Sequence, residues 1–427
     1  MLRAERVAAH LATPKCRCYS PPMLPVTTAA LRSEPEPPPA MRRKLKILHT
    51  MTWLAPGGGA DQNVLLTVQN TVNDYEVHFA VGPNIHQNQF IEVPGLTFMI
   101  CPHMVRPIHP IKDLMALWWF VRLIRAEKYD VVHTHETKAS LITRVAAWLA
   151  RCPFIIYGLH GVAFNDPLSR LKRTFYILAE KWTIGAADLI VAVSKSTVEE
   201  YHQARIGLDI PYEVIYSGVD VTRFEAQAAL ARRKRVELRR ALGIGPGEFV
   251  IVNVGRFSYS KGQRYTIEAF AKLAPRHSRL RLLFIGEGEL KEDCMRQAEA
   301  LGVGRETIFA GFRENVPEAV SVADLLLLTS LREGLPRAAV EAYLCGLPVV
   351  SFEVEGIHEV IEDGVTGYVV PQYDVNALAE RTERLVVDDA QRLGFAAKGG
   401  ERVRVTWDHR HMVASLKRIY DTRLTRA

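Results

Sequence analysis

The chain has 427 residues, with 54 Lys and Arg against 47 Asp and Glu, a net charge of +7. Hydrophobic residues make up 48% and charged residues 24%, which excludes a mainly disordered or collagen-like chain. No uncharged apolar run approaches the ~18 residues of a membrane span, so no transmembrane helix is expected. The longest candidates lie at Leu114–Val121 and around Leu325–Leu328. Six cysteines without a Cys-x-x-Cys pair are too few for a disulfide scaffold, and a reducing, cytoplasmic compartment is expected. The bases are spread along the chain, whereas a nucleic-acid binder concentrates them on one surface. The local cluster Arg232–Arg240 suits a solvated helix face, and no nucleic-acid partner is expected.

Residues 1–40 stand apart. Seven of the twenty residues from Pro21 to Ala40 are proline, and no 7–15-residue apolar core marks a signal peptide. A disordered extension is expected there, with Met41 a second candidate start. From Leu45 short apolar runs alternate with segments of helical period. Strands are predicted at Leu45–Thr50, Val77–Val81, Thr97–Cys101, Val131–His135, Phe154–Leu159, Leu189–Ser194 and Val214–Ser217. Helices are predicted at Ala60–Thr71, Ile111–Lys128, Lys138–Arg151 and Pro167–Ile184, then over the basic stretch Gln227–Leu242. The alternation resumes with strands at Phe249–Val254, Leu280–Ile285, Thr307–Ala310, Leu325–Thr329, Val349–Phe352 and Tyr368–Val370, and a last helix is predicted over Trp407–Leu424. Continuous apolar strands joined by helices imply parallel sheets covered on both faces. The expected class is α/β, with two doubly wound Rossmann-like domains at 41–225 and 226–405. Residues 406–427 form a helix expected to pack back on the first domain. Ligands of such sheets bind beyond the carboxyl ends of the strands, which places the site in the cleft between them.

Four groups of residues can carry chemistry. The first strand runs into Gly57-Gly58-Gly59 and a helix, where free N–H groups suit a phosphate or a close sugar, or simply make a turn. It is neither the dinucleotide fingerprint nor a P-loop. Arg256 and Lys261 share the loop after the strand Phe249–Val254 and can reach one anion such as a diphosphate, or remain solvated. Glu333-Gly334-Leu335-Pro336 and Glu341 flank a turn and a helix start, with Pro336 suited to the first helical position. These acids can accept from sugar hydroxyls, or serve only as ordinary helix-start and surface acids. His133, His135 and His160 end strands. No carboxylate or cysteine stands at ligand spacing beside them and no Asp-x-Asp occurs, so no metal site is expected.

The order of "VVHTHETKASLITRVAAWLA", "YGLHGVAF", "LIVAVSKST", "VIYSGVDVTRF", "VNVGRFSYSKG", "LLFIGEGE", "FAGF" and "SLREGLPRAAVEAYLCGLPVV" resembles family 4 of the nucleotide-sugar glycosyltransferases. These segments span most of residues 45–390. The resemblance implies the GT-B fold, transfer with retention, and no cofactor or metal beyond a nucleotide-sugar substrate, a UDP-sugar first. It implies that Arg256 and Lys261 bind the donor diphosphate and that Glu341 holds the ribose. Glu333, Gly334, Leu335 and Pro336 would line the sugar and phosphate. Phe312 and Arg313 would contact the base, and His160 the reacting side of the sugar. Gly57, Gly58 and Gly59 would approach the phosphates or the acceptor. Pro336-Arg337 departs from the commonest pattern, and Arg337 would add a cation near the sugar.

The wording also resembles bacterial enzymes that extend surface polysaccharides on a lipid carrier. A saccharide or lipid-linked acceptor is therefore expected, with a peripheral contact at the inner face of an anionic membrane. The segment Leu114–Ile124, with Trp118, Trp119 and Phe120 beside Arg122 and Arg125, suits a membrane interface, although the same pattern more often packs against a sheet, and Arg170, Lys172 and Arg173 add a basic spot. A sugar-nucleotide epimerase on the same fold and a non-catalytic sugar-nucleotide-binding subunit are the alternatives.

Overall fold

Runs of Val, Ile and Leu give strands buried along nearly their whole length, because helices shield both faces of each parallel sheet. The computed structural model describes residues 43–54, 59–85, 92–165 and 169–422. The proline-rich extension expected over 1–40 lies outside them, as do Gly57 and Gly58.

One sheet holds β1 (Lys46–Met51), β2 (Glu76–Val81), β3 (Thr97–Ile100), β4 (Val131–His135), β5 (Ile155–Leu159), β6 (Leu189–Ala192) and β7 (Tyr212–Val214). Their spatial order is β3-β2-β1-β4-β5-β6-β7. The other holds β8 (Phe249–Val254), β9 (Leu280–Ile285), β10 (Thr307–Phe309), β11 (Leu325–Leu328), β12 (Val349–Phe352) and β13 (Gly367–Val370), in the order β10-β9-β8-β11-β12-β13. Adjacent strands run parallel in both. Chain order reverses between β1 and β4, and again between β8 and β11. A crevice opens at each of these switch points.

Three of the differences between predicted and observed elements have a tertiary cause. The strand predicted at Val214–Ser217 is β7, three residues long and ending at Val214. Beyond it the chain leaves the sheet, and the Ser217 hydroxyl accepts from the Asn63 amide. The helix predicted over Gln227–Leu242 is two helices, Val221–Arg233 and Arg235–Ala241. Arg235 and Arg239 of the second both reach Asp324, at 2.7 Å each, which ties it to the start of β11. The last helix begins at His409, not Trp407. Trp407 caps the preceding helix Asp389–Thr406 and is buried, with its ring 4.5 Å from that of Tyr216.

That tryptophan marks where the chain crosses back. The Val219 amide donates to the Trp407 carbonyl at 2.8 Å, and the His409 amide to the Val219 carbonyl at 2.9 Å, so the two crossings lie side by side. Helix His409–Thr422 then buries Met412, Val413, Leu416, Ile419 and Tyr420 in the core of the first sheet, among Ile47, Val64 and Val131. The spacing of those five residues is the apolar stripe of a helix packed on one side.

Candidate active site

The carboxyl end of β8 carries the cationic loop. Gly262 has φ +59, and a Cβ there would lie 2.3 Å from the Thr329 carbonyl, so only glycine lets the loop press against the end of β11. The Leu331 amide donates to the Ser260 carbonyl at 2.7 Å, and the Thr266 and Thr329 hydroxyls bond at 2.8 Å. Braced in this way, Lys261 pairs with Glu333 at 2.5 Å. Its stem runs over Gly255, in ordinary van der Waals range of where a Cβ would stand. Arg256 is exposed and pairs with no acid among the described residues. Glu333 is held from behind, because its amide donates to Glu355 at 3.2 Å while Arg332 pairs with the same carboxylate at 3.0 Å.

Glu341 lies one turn inside the helix Arg337–Leu344 and accepts from Arg337 at 2.8 Å. Arg337 also donates to the Gly218 carbonyl at 3.2 Å. The cation expected near the sugar is thus engaged by Glu341 and by the interdomain crossing. Phe312 and Arg313 are exposed on the loop after β10, and Leu335 and Pro336 are buried behind Gly334.

Gly334 is where the two halves touch. A Cβ on it would fall 1.9 Å from the His160 carbonyl and 3.2 Å from Gly161, and its own carbonyl accepts from the Ser194 hydroxyl at 2.8 Å. Backbone after β5 and the Ser194 hydroxyl after β6 therefore meet the Glu333 turn, with no room for a side chain on Gly334. The cleft is shut at its floor beside His160.

The first-domain side is built from uncharged groups. His133 and His135 alternate along β4, and His49 stands beside His133 in register, so all three project from one face of the sheet. On β5 the residue beside His135 is Gly158, and a Cβ there would lie 2.7 Å from the His135 ring. That gap lets His135 Nδ1 reach His160 Nε2 at 3.0 Å, while His135 Nε2 meets His49 Nδ1 at 2.9 Å. His133 Nδ1 meets the Tyr420 hydroxyl at 2.9 Å. Burial pulls His49 down to about 3 and His160 to about 4, and holds His133 and His135 well below the usual imidazole range. All four are neutral at pH 7. A cavity of about 30 Å³, room for one water, lies against His133, His135, His160 and Asn63.

The sequence reading missed His49. One ring nitrogen from each of His49, His133 and His135 falls within 4.8 Å of the others, a grouping that could hold a metal ion where none was expected. The His49 and His135 ring planes are parallel to within 8°, and their facing nitrogens stand 2.9 Å apart, within hydrogen-bond reach of each other. Glu136 was missed as well. It follows β4 with φ +61, accepts from the Thr52 amide at 3.0 Å, and is pushed up to about 8 by burial and then by Asp61. Gly59, the described member of the glycine turn, opens the helix Gly59–Gln69 that carries Asp61.

Residues 57–223 match the family model described as Glycosyltransferase Family 4, and residues 234–402 the one described as Glycosyl transferases group 1. The chain belongs to the family 4 glycosyltransferases. This glycosyltransferase is 27% identical over 292 residues to UDP-Gal:alpha-D-GlcNAc-diphosphoundecaprenol alpha-1,3-galactosyltransferase of Escherichia coli, covering 67% of this chain and 74% of that one. It is 26% identical over 398 residues to N-acetyl-alpha-D-glucosaminyl L-malate synthase of Bacillus anthracis, covering 88% and 97%. Among solved structures, Anabaena Alr3699/HepE in complex with UDP and glucose superposes with a TM-score of 0.75 at 21% identity, over 88% of this chain and all of that one. WaaG, a glycosyltransferase involved in lipopolysaccharide biosynthesis, superposes with a TM-score of 0.71 at 17% identity, over 88% and 99%. The fold is GT-B.

Proposed function

We propose that this glycosyltransferase moves a hexose, with retention and without a metal, from a nucleotide sugar to a saccharide or lipid-linked saccharide. A UDP-sugar is the first candidate donor, and the setting is cell-surface polysaccharide or lipopolysaccharide synthesis at the inner face of a membrane. Relatives named for a diphosphoundecaprenol acceptor and for lipopolysaccharide synthesis support the acceptor class, and a neighbour holding UDP and glucose supports the donor class. Nothing in those names favours the epimerase.

The observation that carries the reading is the braced Lys261–Glu333 pair beside the free Arg256 at the mouth of β8. An arriving diphosphate takes Lys261 from Glu333 and meets Arg256 in the same loop. Glu333 is then released toward sugar hydroxyls, and Glu341 faces the ribose. Both cations are worth most when the bond to the nucleotide has broken and charge has grown on the phosphate, so they lower the barrier more than they tighten the ground state. The leaving phosphate takes the acceptor proton, because the nearby Glu136 is already protonated at neutral pH and the four histidines resist charging. The neutral histidine wall and the closed floor at Gly334 keep water from competing with the acceptor.

A thermal-shift screen of nucleotide sugars, followed by transfer assays, tests this. The preferred donor raises the melting temperature. Arg256→Ala and Lys261→Ala each lower kcat by roughly 10²–10³-fold while the free protein melts as before. Wild-type transfer rates in both variants would refute the site.

A further inference from the structure

Helix Arg170–Thr183 packs Tyr176 and Ile177 partly against the core, yet the residue it buries is charged. In a helix that covers a sheet, apolar residues face inward and charges outward. Here the one residue of the helix that is buried is Glu180. It meets Arg144 of the helix Thr137–Leu149 at 2.7 Å, and both side chains are shut from solvent. Arg144 also donates to the Thr183 hydroxyl at 3.0 Å and lies 4.2 Å from the centre of the Tyr157 ring. A buried charge that loses its partner is strongly penalised, so this pair fixes the rotation of the helix. The opposite side then faces out. It carries Leu171, Phe175, Leu178 and Trp182, which are 82%, 52%, 59% and 90% exposed. Their spacing of four, three and four residues makes one straight stripe.

The charges complete the pattern. Glu180 is the helix's only acid and it is buried, whereas the bases Arg170, Lys172, Arg173 and Lys181 lie in the exposed part. At 100° per residue, Arg170 and Lys181 border the apolar stripe on one side and Lys172 on the other. Such a face combines an apolar strip that can enter the acyl boundary with bases that can reach phosphate headgroups. Two copies of the same chain placed face to face would bring like charges together, which disfavours a symmetric dimer through this helix. Helix Pro110–Glu127 also exposes Ile111, Leu114 and Trp118, while Phe120, offered by the sequence as part of a membrane seat, is buried.

We propose that helix Arg170–Thr183 is the surface by which the enzyme docks on an anionic lipid bilayer, lying flat with Leu171, Phe175, Leu178 and Trp182 in the interface. The proposal rests on the lipid-linked acceptor reading and names the part of the chain that brings the cleft to such an acceptor. The ion pair Arg144–Glu180 is the internal fastener that keeps the stripe outward.

Sedimentation with vesicles of phosphatidylglycerol and phosphatidylcholine at low salt tests it. The wild type partitions onto these vesicles and not onto pure phosphatidylcholine, and brominated lipid quenches Trp182. The double variant Leu171→Ser/Trp182→Ser partitions at least tenfold less and keeps wild-type transfer to a soluble acceptor, since neither residue touches the cleft machinery. Arg170→Glu/Lys181→Glu loses the preference for anionic lipid. Unchanged binding of the Leu171/Trp182 variant would overturn the proposal. So would a wild-type dimer that shields Trp182 without lipid. Failure of sugar transfer from every nucleotide sugar, with vesicle binding intact, would instead strike the functional reading and leave the docking surface standing.

Discussion

The two mouths that face each other across the cleft solve opposite problems. At the end of β8 the protein sets permanent charges where water can reach them, and pairs Lys261 with Glu333 while Arg256 stays open. At the end of β4 it holds four histidines neutral by burial and raises Glu136 to about 8. The contrast shows how one cleft can serve a substrate with two characters. A diphosphate needs mobile counter-charge that exchanges partners on arrival. A sugar ring and an acceptor hydroxyl need a wall that neither titrates nor admits water.

The sharpest way to break this comparison is to force the two mouths apart. A Cβ on Gly334 would overlap the His160 carbonyl, so Gly334→Ala should separate the Glu333 turn from the first domain. A displacement of about 1 Å at a reacting centre costs roughly 10²-fold, and kcat/KM for the nucleotide sugar should fall by that order. A full-rate Gly334→Ala enzyme would show that the contact has no bearing on transfer.

Acid probes the uncharged wall next. The histidines have folded values below their unfolded one near 6.5, so stability is full above that pH and is lost as pH falls toward 4. One histidine held neutral costs about 2 kcal/mol at pH 5 relative to neutral pH. Guanidinium unfolding of His133→Phe should show about that much less acid sensitivity than the wild type, whatever its stability at pH 7. An identical pH slope in the two proteins would mean that His133 charges freely in the folded state.

Alkali probes Glu136 in the same way. Its folded value near 8 lies above the ordinary 4.5, so the folded state gives up stability as pH rises through that window. Glu136→Gln should gain roughly 4 kcal/mol at pH 8 and almost nothing at pH 4. Equal gains at both pH values would trace the effect to packing instead of protonation.

Much of the fold was legible because parallel strands buried on both faces leave an unbroken apolar run. β4, β8, β9 and β12 have the predicted limits. Predictions slipped where a tertiary contact overrode local pattern, at Lys234, where Arg235 and Arg239 turn to Asp324, and at Trp407, where the crossing closes on Val219. The cationic loop and the Glu333 turn could be read as text because their residues stand close in the chain. His49 could not, since 86 residues separate it from His135 and nothing local couples them.

By itself the sequence determined the two α/β halves, the loop carrying Arg256 and Lys261, and the acids of the Glu333 turn, since each is written within a few consecutive residues. Only the tertiary structure decided that Lys261 rests on Glu333, that Gly334 touches His160, that His49, His135 and His160 bond in a neutral chain beside His133, and that Glu180 turns inward while Trp182 faces out. Those outcomes depend on which side chains the sheets bring within hydrogen-bond reach, and on where a charge can find a partner away from water, and neither is a property of neighbouring residues.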